Sequence, residues 1–133
     1  MGNSQLSRGE IMQFQQSGTT GGTRGPADGE ERMRRLLTEA IGEALGIRPD
    51  RILSPVRGTA RVALARQVAI YLARTRLGLS FTEAGRLFRR DRTTAAHACR
   101  RIEETRDDAV FDALIDRLDA TVAGRLAARD SAR

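Results

Sequence analysis

The chain has 133 residues, a net charge of +6, no tryptophan, and only four phenylalanines and one tyrosine. A chain of this length can bury one small core, which must be filled by Leu, Ile, Val and Ala because aromatic residues are scarce. No apolar run approaches the roughly 18 residues of a membrane span, and the N-terminus lacks the apolar region of a signal peptide. We therefore expect no membrane partner and a cytoplasmic location. Cys99 is the only cysteine, which excludes an intrachain disulfide and a CxxC metal site.

The first 27 residues differ in composition from the rest of the chain. They contain six glycines together with Ser, Thr and Gln, and no hydrophobic periodicity runs through them. Such a segment cannot bury enough apolar area to offset the entropy that it loses on ordering. We therefore predict a disordered tail over residues 1–27, a folded domain over residues 28–128 and a short tail over residues 129–133.

Helical periodicity starts the folded domain. Apolar residues recur at i, i+3, i+4 and i+7 over residues 33–45, and Asp28 and Glu31 have capping-box spacing. This pattern predicts a first helix over residues 29–45, with Gly46 as its C-cap.

Two helices separated by a loop are predicted next. Pro49 suits the first position of a short helix over residues 49–53, and the sequence SPVRGT (54–59) predicts a loop. Apolar residues then cover a wide arc of a helix over residues 61–77, which Gly78 ends. We expect this helix to be central, with neighbours on several sides.

The following segment has the pattern of a helix-turn-helix. Ser80 and Glu83 form an S-x-x-E capping box before a two-turn helix. After a short polar connection, Asp91 can cap a helix over residues 92–106. The inward stripe of this helix is predicted to be Ala95, Ala98, Cys99 and Ile102.

A last helix is predicted over residues 108–127, where apolar residues again recur with helical spacing. No strand pattern appears in the chain. The predicted fold class is therefore all-α: a compact domain of about five to six helices that contains a helix-turn-helix.

The positive charge is concentrated in one part of the chain. Residues 48–106 contain 14 arginines and five acidic residues, a net charge of +9, while residues 28–47 and 107–133 each carry −2. All 23 basic residues are arginine, the side chain that best matches phosphate and guanine. A block of one sign on a folded segment indicates a polyanionic partner, and here it favours a nucleic acid.

The segment LFRRDRTTAAHACRRIE (87–103) contains the second helix of the predicted pair. A recognition helix enters the major groove of DNA by its N-terminal turn. There arginine can bond guanine, aspartate can accept from cytosine N4, and threonine methyl groups can contact thymine methyls, while other donors hold phosphates. The candidate contacts are Arg89, Arg90, Asp91, Arg92, Thr93, Thr94, His97 and Arg100.

Simpler interpretations remain for some of these residues. Asp91 is at least an N-cap, His97 can simply pack on the helix, and Arg100 can belong to a solvated face. His97 is the only histidine, and the sequence has no nucleophile motif such as G-x-S-x-G. We therefore expect no enzyme, metal site, cofactor or small-molecule substrate.

Three stretches, ARQVAIYLAR (65–74), LSFTEAGRLF (79–88) and RDRTTAAHACRRIE (90–103), resemble the C-terminal DNA-binding domain of the bacterial replication initiator DnaA. The pattern of that family is close to RQ-hydrophobic-A-x-x-L, then L-S-x-x-E-I-G-x-x-F, then G-x-R-D-H-T-T-V-x-H-A. The resemblance covers approximately residues 30–120. It implies a helix-turn-helix fold and double-stranded DNA as the partner.

The resemblance also implies roles for single residues. Arg66, with Gln67 beside it, falls at a family arginine that is expected to enter the minor groove. Arg57 and Arg61 fall in a loop that is rich in basic residues in the family. The family signature that reads major-groove bases and adjoining phosphates falls on Arg90, Asp91, Thr93, Thr94 and His97.

The departures from the family pattern lie among the residues that are expected to contact DNA bases. Arg92 stands where the family has histidine. The turn before it is one residue shorter than in the family, and arginine replaces the glycine pair there. Ala95 and Ala96 replace a hydrophobic pair. The resemblance therefore implies the family fold without the same target sequence. Since the sequence has no lysine and no P-loop, we expect a stand-alone reading domain and not an ATP-driven initiator.

Stand-alone relatives of this domain resemble transcription regulators, including the activators of gene transfer agent clusters in alphaproteobacteria. We therefore expect a sequence-specific transcriptional regulator at the nucleoid, with activation favoured and with RNA polymerase or a co-activator as protein partner. One alternative is a regulator of replication initiation that binds initiator boxes at the origin. Another is a non-specific nucleoid or phage-encoded DNA-binding protein.

Overall fold

The computed structural model describes residues 26–56 and 58–131, which form six α-helices and no strand. The helices are α1 (Pro26–Leu45), α2 (Pro49–Leu53), α3 (Ala60–Thr75), α4 (Phe81–Leu87), α5 (Arg92–Thr105) and α6 (Ala109–Ser131). The predicted all-α class is confirmed. Residues 1–25 of the tail that was predicted over residues 1–27 lie outside the described residues. Among the described helices, none is both long and apolar enough to cross a membrane.

The two ends of the helical domain differ from the sequence prediction. α1 begins at Pro26, so Asp28 lies inside the helix and does not cap it as predicted. Proline suits a first turn because its φ angle is already fixed at a helical value. α6 continues to Ser131, beyond the predicted end at residue 127. Its later turns still supply an apolar contact, since Leu126 packs against the core.

α3 lies at the centre of the fold. It packs against α1, α2, α4 and α5, and every residue from Val68 to Ala73 is buried. A helix with neighbours on several sides must be apolar around most of its circumference, so the prediction of a central helix is confirmed. Ala65, Ala69 and Ala73 recur every four residues and are fully buried, and their small side chains let neighbouring helices approach closely.

α4 and α5 pack on α3 as a helix-turn-helix. The predicted capping box is present at the start of α4: Glu83 N donates to Ser80 Oγ at 3.1 Å, and Ser80 N donates to Glu83 Oε1 at 2.9 Å. The inward face of α5 is also confirmed, because all four predicted residues are buried: Ala95, Ala98, Cys99 and Ile102.

Arginine–carboxylate pairs hold α6 against the rest of the fold. Arg76, at the end of α3, bonds both carboxylate oxygens of Asp119 at 2.9 and 2.6 Å. Arg106, after α5, bonds Asp112 and Asp116 at 2.5 Å each. Such charge-assisted bonds fix orientation as well as distance. They also neutralise much of the acidic side of α6.

The turn between α4 and α5 depends on a close approach at Gly85. The Gly85 carbonyl accepts from Phe88 N at 2.9 Å and from Arg90 N at 2.8 Å. A Cβ atom on Gly85 would lie 2.7 Å from the carbonyl oxygen of Arg90 and 2.9 Å from that of Asp91. These are backbone atoms, so a side chain at this position would have to displace the turn itself.

Replacing Gly85 by alanine should therefore lower the free energy of unfolding by about 1–3 kcal/mol, the usual cost of overpacking. Urea denaturation followed by circular dichroism measures this change. Gly124→Ala in α6 is the matched control, because a Cβ there meets nothing within 4 Å. Alanine is the better helix former, so the control should raise the unfolding free energy by up to about 1 kcal/mol. Equal destabilisation by both changes would contradict the close approach.

Candidate nucleic-acid interface

Asp91 caps the N-terminus of α5, as the sequence predicted. Its Oδ1 accepts a hydrogen bond from Thr94 N at 2.8 Å, and its own backbone is extended. The hydrogen bond from the Thr94 backbone lowers the pKa of the Asp91 carboxyl below its ordinary value. The stability from this cap is therefore present above the unfolded pKa and is lost as the pH falls through the folded pKa.

The outer face of α5 consists of polar and charged side chains. Five of the residues predicted to contact DNA are exposed on α5: Arg92, Thr93, Thr94, His97 and Arg100. Thr93, His97 and Arg100 follow i, i+4, i+7 spacing, so they form one stripe opposite the buried one. The structure thus places three of the predicted contact residues on one exposed face of α5.

The two arginines of the turn point in different directions. Arg89 is exposed and has a φ of +58°, a left-handed conformation that favours glycine. Arg90 is half-buried and folds back: it donates to the Phe88 carbonyl at 3.0 Å and to the Ser54 carbonyl at 3.3 Å. Arg89 therefore faces solvent as expected for a phosphate contact, whereas Arg90 links the turn to the loop after α2.

The residues predicted to contact DNA around the start of α3 differ in their environments. Arg57 lies outside the described residues. The exposed Arg61 donates to the Leu45 carbonyl at the C-terminus of α1, where a cation offsets the partial negative charge of the helix end. Gln67 is half-buried on α3. The Arg61 guanidinium is thus already hydrogen-bonded within the fold.

Arg66 departs most clearly from the prediction. Its side chain is 6% exposed, and its Nε donates to the Ile52 carbonyl at 2.9 Å. Burial, followed by the nearby charge of Arg90, lowers the pKa of Arg66. Carbonyl groups at the end of α2 lack helical partners and attract this guanidinium inward. In this structure Arg66 is therefore a buried structural residue, and the predicted minor-groove side chain does not lie on the surface.

Arg74 is a candidate contact that the sequence prediction omitted. It lies 4.5 Å from the centroid of the Phe81 ring, and together with Arg100 it lines a groove of about 600 Å³ beside α5. The sequence signal that pointed to Arg74 was its position in the stretch ARQVAIYLAR (65–74), which resembles the family. Cys99 also lines this groove. Burial raises the pKa of its thiol to about 11, so the groove holds a neutral thiol and not a reactive thiolate.

Four exposed arginines on α5 and in the turn before it lack the carboxylate partners that several other arginines have. On α1, α4 and α6 and at the ends of α3 and α5, arginines bond carboxylates; these are Arg34, Arg35, Arg76, Arg86, Arg106 and Arg125. In contrast, Arg89, Arg92, Arg100 and Arg101 are exposed, and none pairs with a carboxylate in the described part of the chain. A cationic face left without counter-charges is the electrostatic footprint expected for a polyanion.

No group of three or more His, Cys, Asp or Glu residues that could hold a metal ion occurs within residues 26–56 and 58–131. A helix-turn-helix with a capped, arginine-flanked second helix is the architecture of a DNA-binding domain.

The comparison with known families gives the same class. The pattern of the family described as "Bacterial dnaA protein helix-turn-helix" matches residues 35–102, a span that includes α2 to α4 and most of α1 and α5. The chain belongs to this family, and it carries a DnaA-type helix-turn-helix DNA-binding domain.

Individual relatives are similar over a somewhat longer range. The chain is 35% identical over 92 residues to the chromosomal replication initiator protein DnaA of Pseudothermotoga lettingae, covering 68% of this chain and 20% of that protein. It is 32% identical over 92 residues to the protein of the same name from Thermodesulfovibrio yellowstonii, covering 68% and 21%. The chain thus spans about a fifth of the length of these relatives.

Replacing Arg89 by glycine should affect stability and DNA binding in opposite directions. Glycine adopts the left-handed conformation without strain, so the free energy of unfolding should rise by about 0.5–1 kcal/mol. The loss of an exposed cation should weaken binding to duplex DNA and reduce the salt slope by about 1. Urea denaturation and fluorescence anisotropy measure the two effects, with Arg117→Gly, an exposed change in α6, as control. That control should destabilise the helix and leave DNA affinity unchanged.

Proposed function

We propose that this protein is a sequence-specific regulator of transcription, with activation favoured, that inserts the N-terminal turn of α5 into the major groove of double-stranded DNA. The observation that carries the proposal is the exposed arginine surface on the second helix of a helix-turn-helix, which lacks carboxylate partners among the described residues. Small Ala96 beside the buried stripe supports it, because a helix with short side chains approaches base edges closely.

In this proposal the exposed residues of α5 have distinct roles. Arg92 reads guanine, because its guanidinium can donate two bonds to O6 and N7. Thr93 and Thr94 contact thymine methyls or phosphates, and His97 lies on the same face one turn later. Arg89 and Arg100 hold phosphates on either side of the reading turn and so fix its register. Asp91 keeps its cap and accepts from cytosine only with its remaining acceptor capacity.

A second candidate function is the control of replication initiation. The relatives described above carry the name of chromosomal replication initiator, and a protein that shares their reading helix can occupy the same sites. Arg92 argues for a different preferred sequence, because it stands where the resemblance expects histidine. A genome-wide map of bound sites separates the candidates: promoters support transcription, the origin supports replication control, and uniform coverage supports a non-specific nucleoid or phage-encoded protein.

The protein partner remains part of the proposal. A transcription activator requires contact with RNA polymerase or with a co-activator, and such contact would place the protein at the nucleoid. Cross-linking of the DNA-bound protein in cells, followed by mass spectrometry, tests this step. Recovery of polymerase subunits supports activation, whereas recovery of replication proteins alone supports the second candidate.

DNA binding should depend steeply on salt. With about five phosphate contacts, the logarithm of the affinity should fall with the logarithm of salt concentration at a slope of roughly −4 to −5. The arginines of residues 48–106, with a net charge of +9, are the expected source. Fluorescence anisotropy with a labelled duplex at several salt concentrations gives the slope. A flat response would contradict the proposed polyanion surface.

Replacing Arg92 by alanine should cost about 1–3 kcal/mol on the preferred site and relax the preference at one base pair. Selection of bound duplexes from random DNA, with wild type and variant in parallel, measures both effects. Arg101→Ala is the matched control, since Arg101 is exposed on the same helix but lies near its C-terminal end. It should leave the selected motif unchanged. An unchanged motif for Arg92→Ala as well would identify Arg92 as a backbone contact.

A further inference from the structure

Arg66 is a buried arginine whose donors converge on the end of one short helix and its loop. Besides the Ile52 carbonyl, its terminal nitrogen NH2 lies 3.3 Å from the Arg51 carbonyl oxygen, 3.2 Å from that of Ser54 and 3.4 Å from that of Val56. One guanidinium therefore meets four carbonyl groups along the chain from α2 into the following loop. We call residues 54–56, in which Arg66 holds two carbonyl groups, the clamped loop.

The geometry explains why arginine is present at this position. The last carbonyls of a helix have no partners within the helix, and a buried cation without partners would be strongly unfavourable. The carbonyl groups and the buried guanidinium satisfy each other, because the planar fork of arginine presents several donors in fixed directions. Lysine has a single nitrogen, which cannot occupy both the Nε position beside the Ile52 carbonyl and the NH2 position beside the other three carbonyls.

Arg90 connects the clamped loop to the helix-turn-helix. The Ser54 carbonyl accepts from Arg66 and also from Arg90, at 3.2 and 3.3 Å. Arg90 further donates to the Phe88 carbonyl within the turn, and it directly precedes the cap of α5. Two like charges beside one carbonyl repel each other, and Arg90 contributes to the lowered pKa of Arg66. The arrangement therefore joins the loop and the turn through a single shared acceptor.

We infer that Arg66 and Arg90 are positioning residues that hold the clamped loop in a fixed place beside the first turn of α5. The loop and the reading turn then meet DNA as one preorganised surface, and less entropy is lost on binding. This inference rests on the proposed function for its effect on DNA affinity. The ordering of the loop is a property of the free protein and is measurable without DNA.

The rival role for Arg66 is a direct contact with DNA, in the predicted minor groove or at a phosphate, and only the clamp requires the guanidinium in the free protein. A phosphate contact needs a positive charge, which lysine supplies. A clamp on several carbonyls needs the guanidinium fork, which lysine does not supply. Arg66→Lys is therefore the informative variant, and Arg117→Lys on the exposed face of α6 is its matched control.

The first measurement is backbone ¹⁵N relaxation of the free protein. In Arg66→Lys the order parameters of Ser54 and Val56 should fall toward values typical of flexible loops, below about 0.6. The order parameter of Ile102, in the core, should stay at the wild-type value, and Arg117→Lys should change none of the three order parameters. Unchanged loop order parameters in Arg66→Lys would overturn the clamp, and an equal fall at Ile102 would show a general loss of packing instead.

The second measurement is affinity for a duplex that the wild-type protein has selected from random DNA. Arg66→Lys should bind about tenfold more weakly, as expected for the loss of hydrogen bonds to a charged group, with an unchanged salt slope. Arg117→Lys, on α6 and outside the proposed interface, should keep the wild-type affinity. Full retention of affinity by Arg66→Lys would overturn the inference. Failure of the wild type to select any duplex would instead contradict the proposed function.

A double-variant cycle tests whether the two arginines share one task. Because both act on the Ser54 carbonyl, Arg66→Lys and Arg90→Lys together should weaken binding by much less than the product of the single losses. Arg66→Lys combined with Arg100→Ala, which removes a proposed phosphate contact, provides the comparison, and there the losses should multiply. Multiplying losses in both pairs would overturn the shared clamp.

Discussion

The close packing of α4 against the turn before α5 is the constraint on which the reading surface depends. At Gly85 the carbonyl oxygens of Arg90 and Asp91 lie where a side chain would otherwise be. This contact sets the length of the turn, and the turn sets where Asp91 can cap α5. With the start of α5 fixed and its small stripe buried against the core, the exposed residues of its first turn can point only toward solvent.

Arginine serves three separate purposes in a chain that has no lysine. Some arginines bond carboxylates and hold helices together, as Arg76 does with Asp119. Others satisfy backbone carbonyls, as Arg66 and Arg61 do. A third group, which includes Arg92 and Arg100, lies exposed on α5. Net charge alone therefore overstates the cationic surface, and the unpaired arginines on one helix locate the interface better than the +9 of residues 48–106.

The comparisons and the physical chemistry both identify a DnaA-type helix-turn-helix domain. The family match covers the helix-turn-helix and most of α1, and the similar initiator proteins are about five times longer than the matched region. Shared fold and signature residues make DNA the common ligand. In our proposals, Arg92 affects which DNA sequence is bound, and Arg66 affects how rigidly the loop beside α5 is held. Both properties can differ between proteins that share one fold.

The sequence by itself determined the helices, the buried stripe of α5, the capping box at Ser80 and the cap at Asp91, because these depend on local spacing and local hydrogen bonds. It did not determine the direction of long arginine side chains. Arg66 lies on a helix whose apolar arc is wide, and only the carbonyls of Ile52 and Ser54, brought near by α2 and the loop, decide that its guanidinium turns inward. Likewise, Asp28 has cap spacing, yet α1 begins before it. Contacts between residues distant in sequence decide such cases, because a flexible charged side chain follows the partners that the tertiary structure places within its reach.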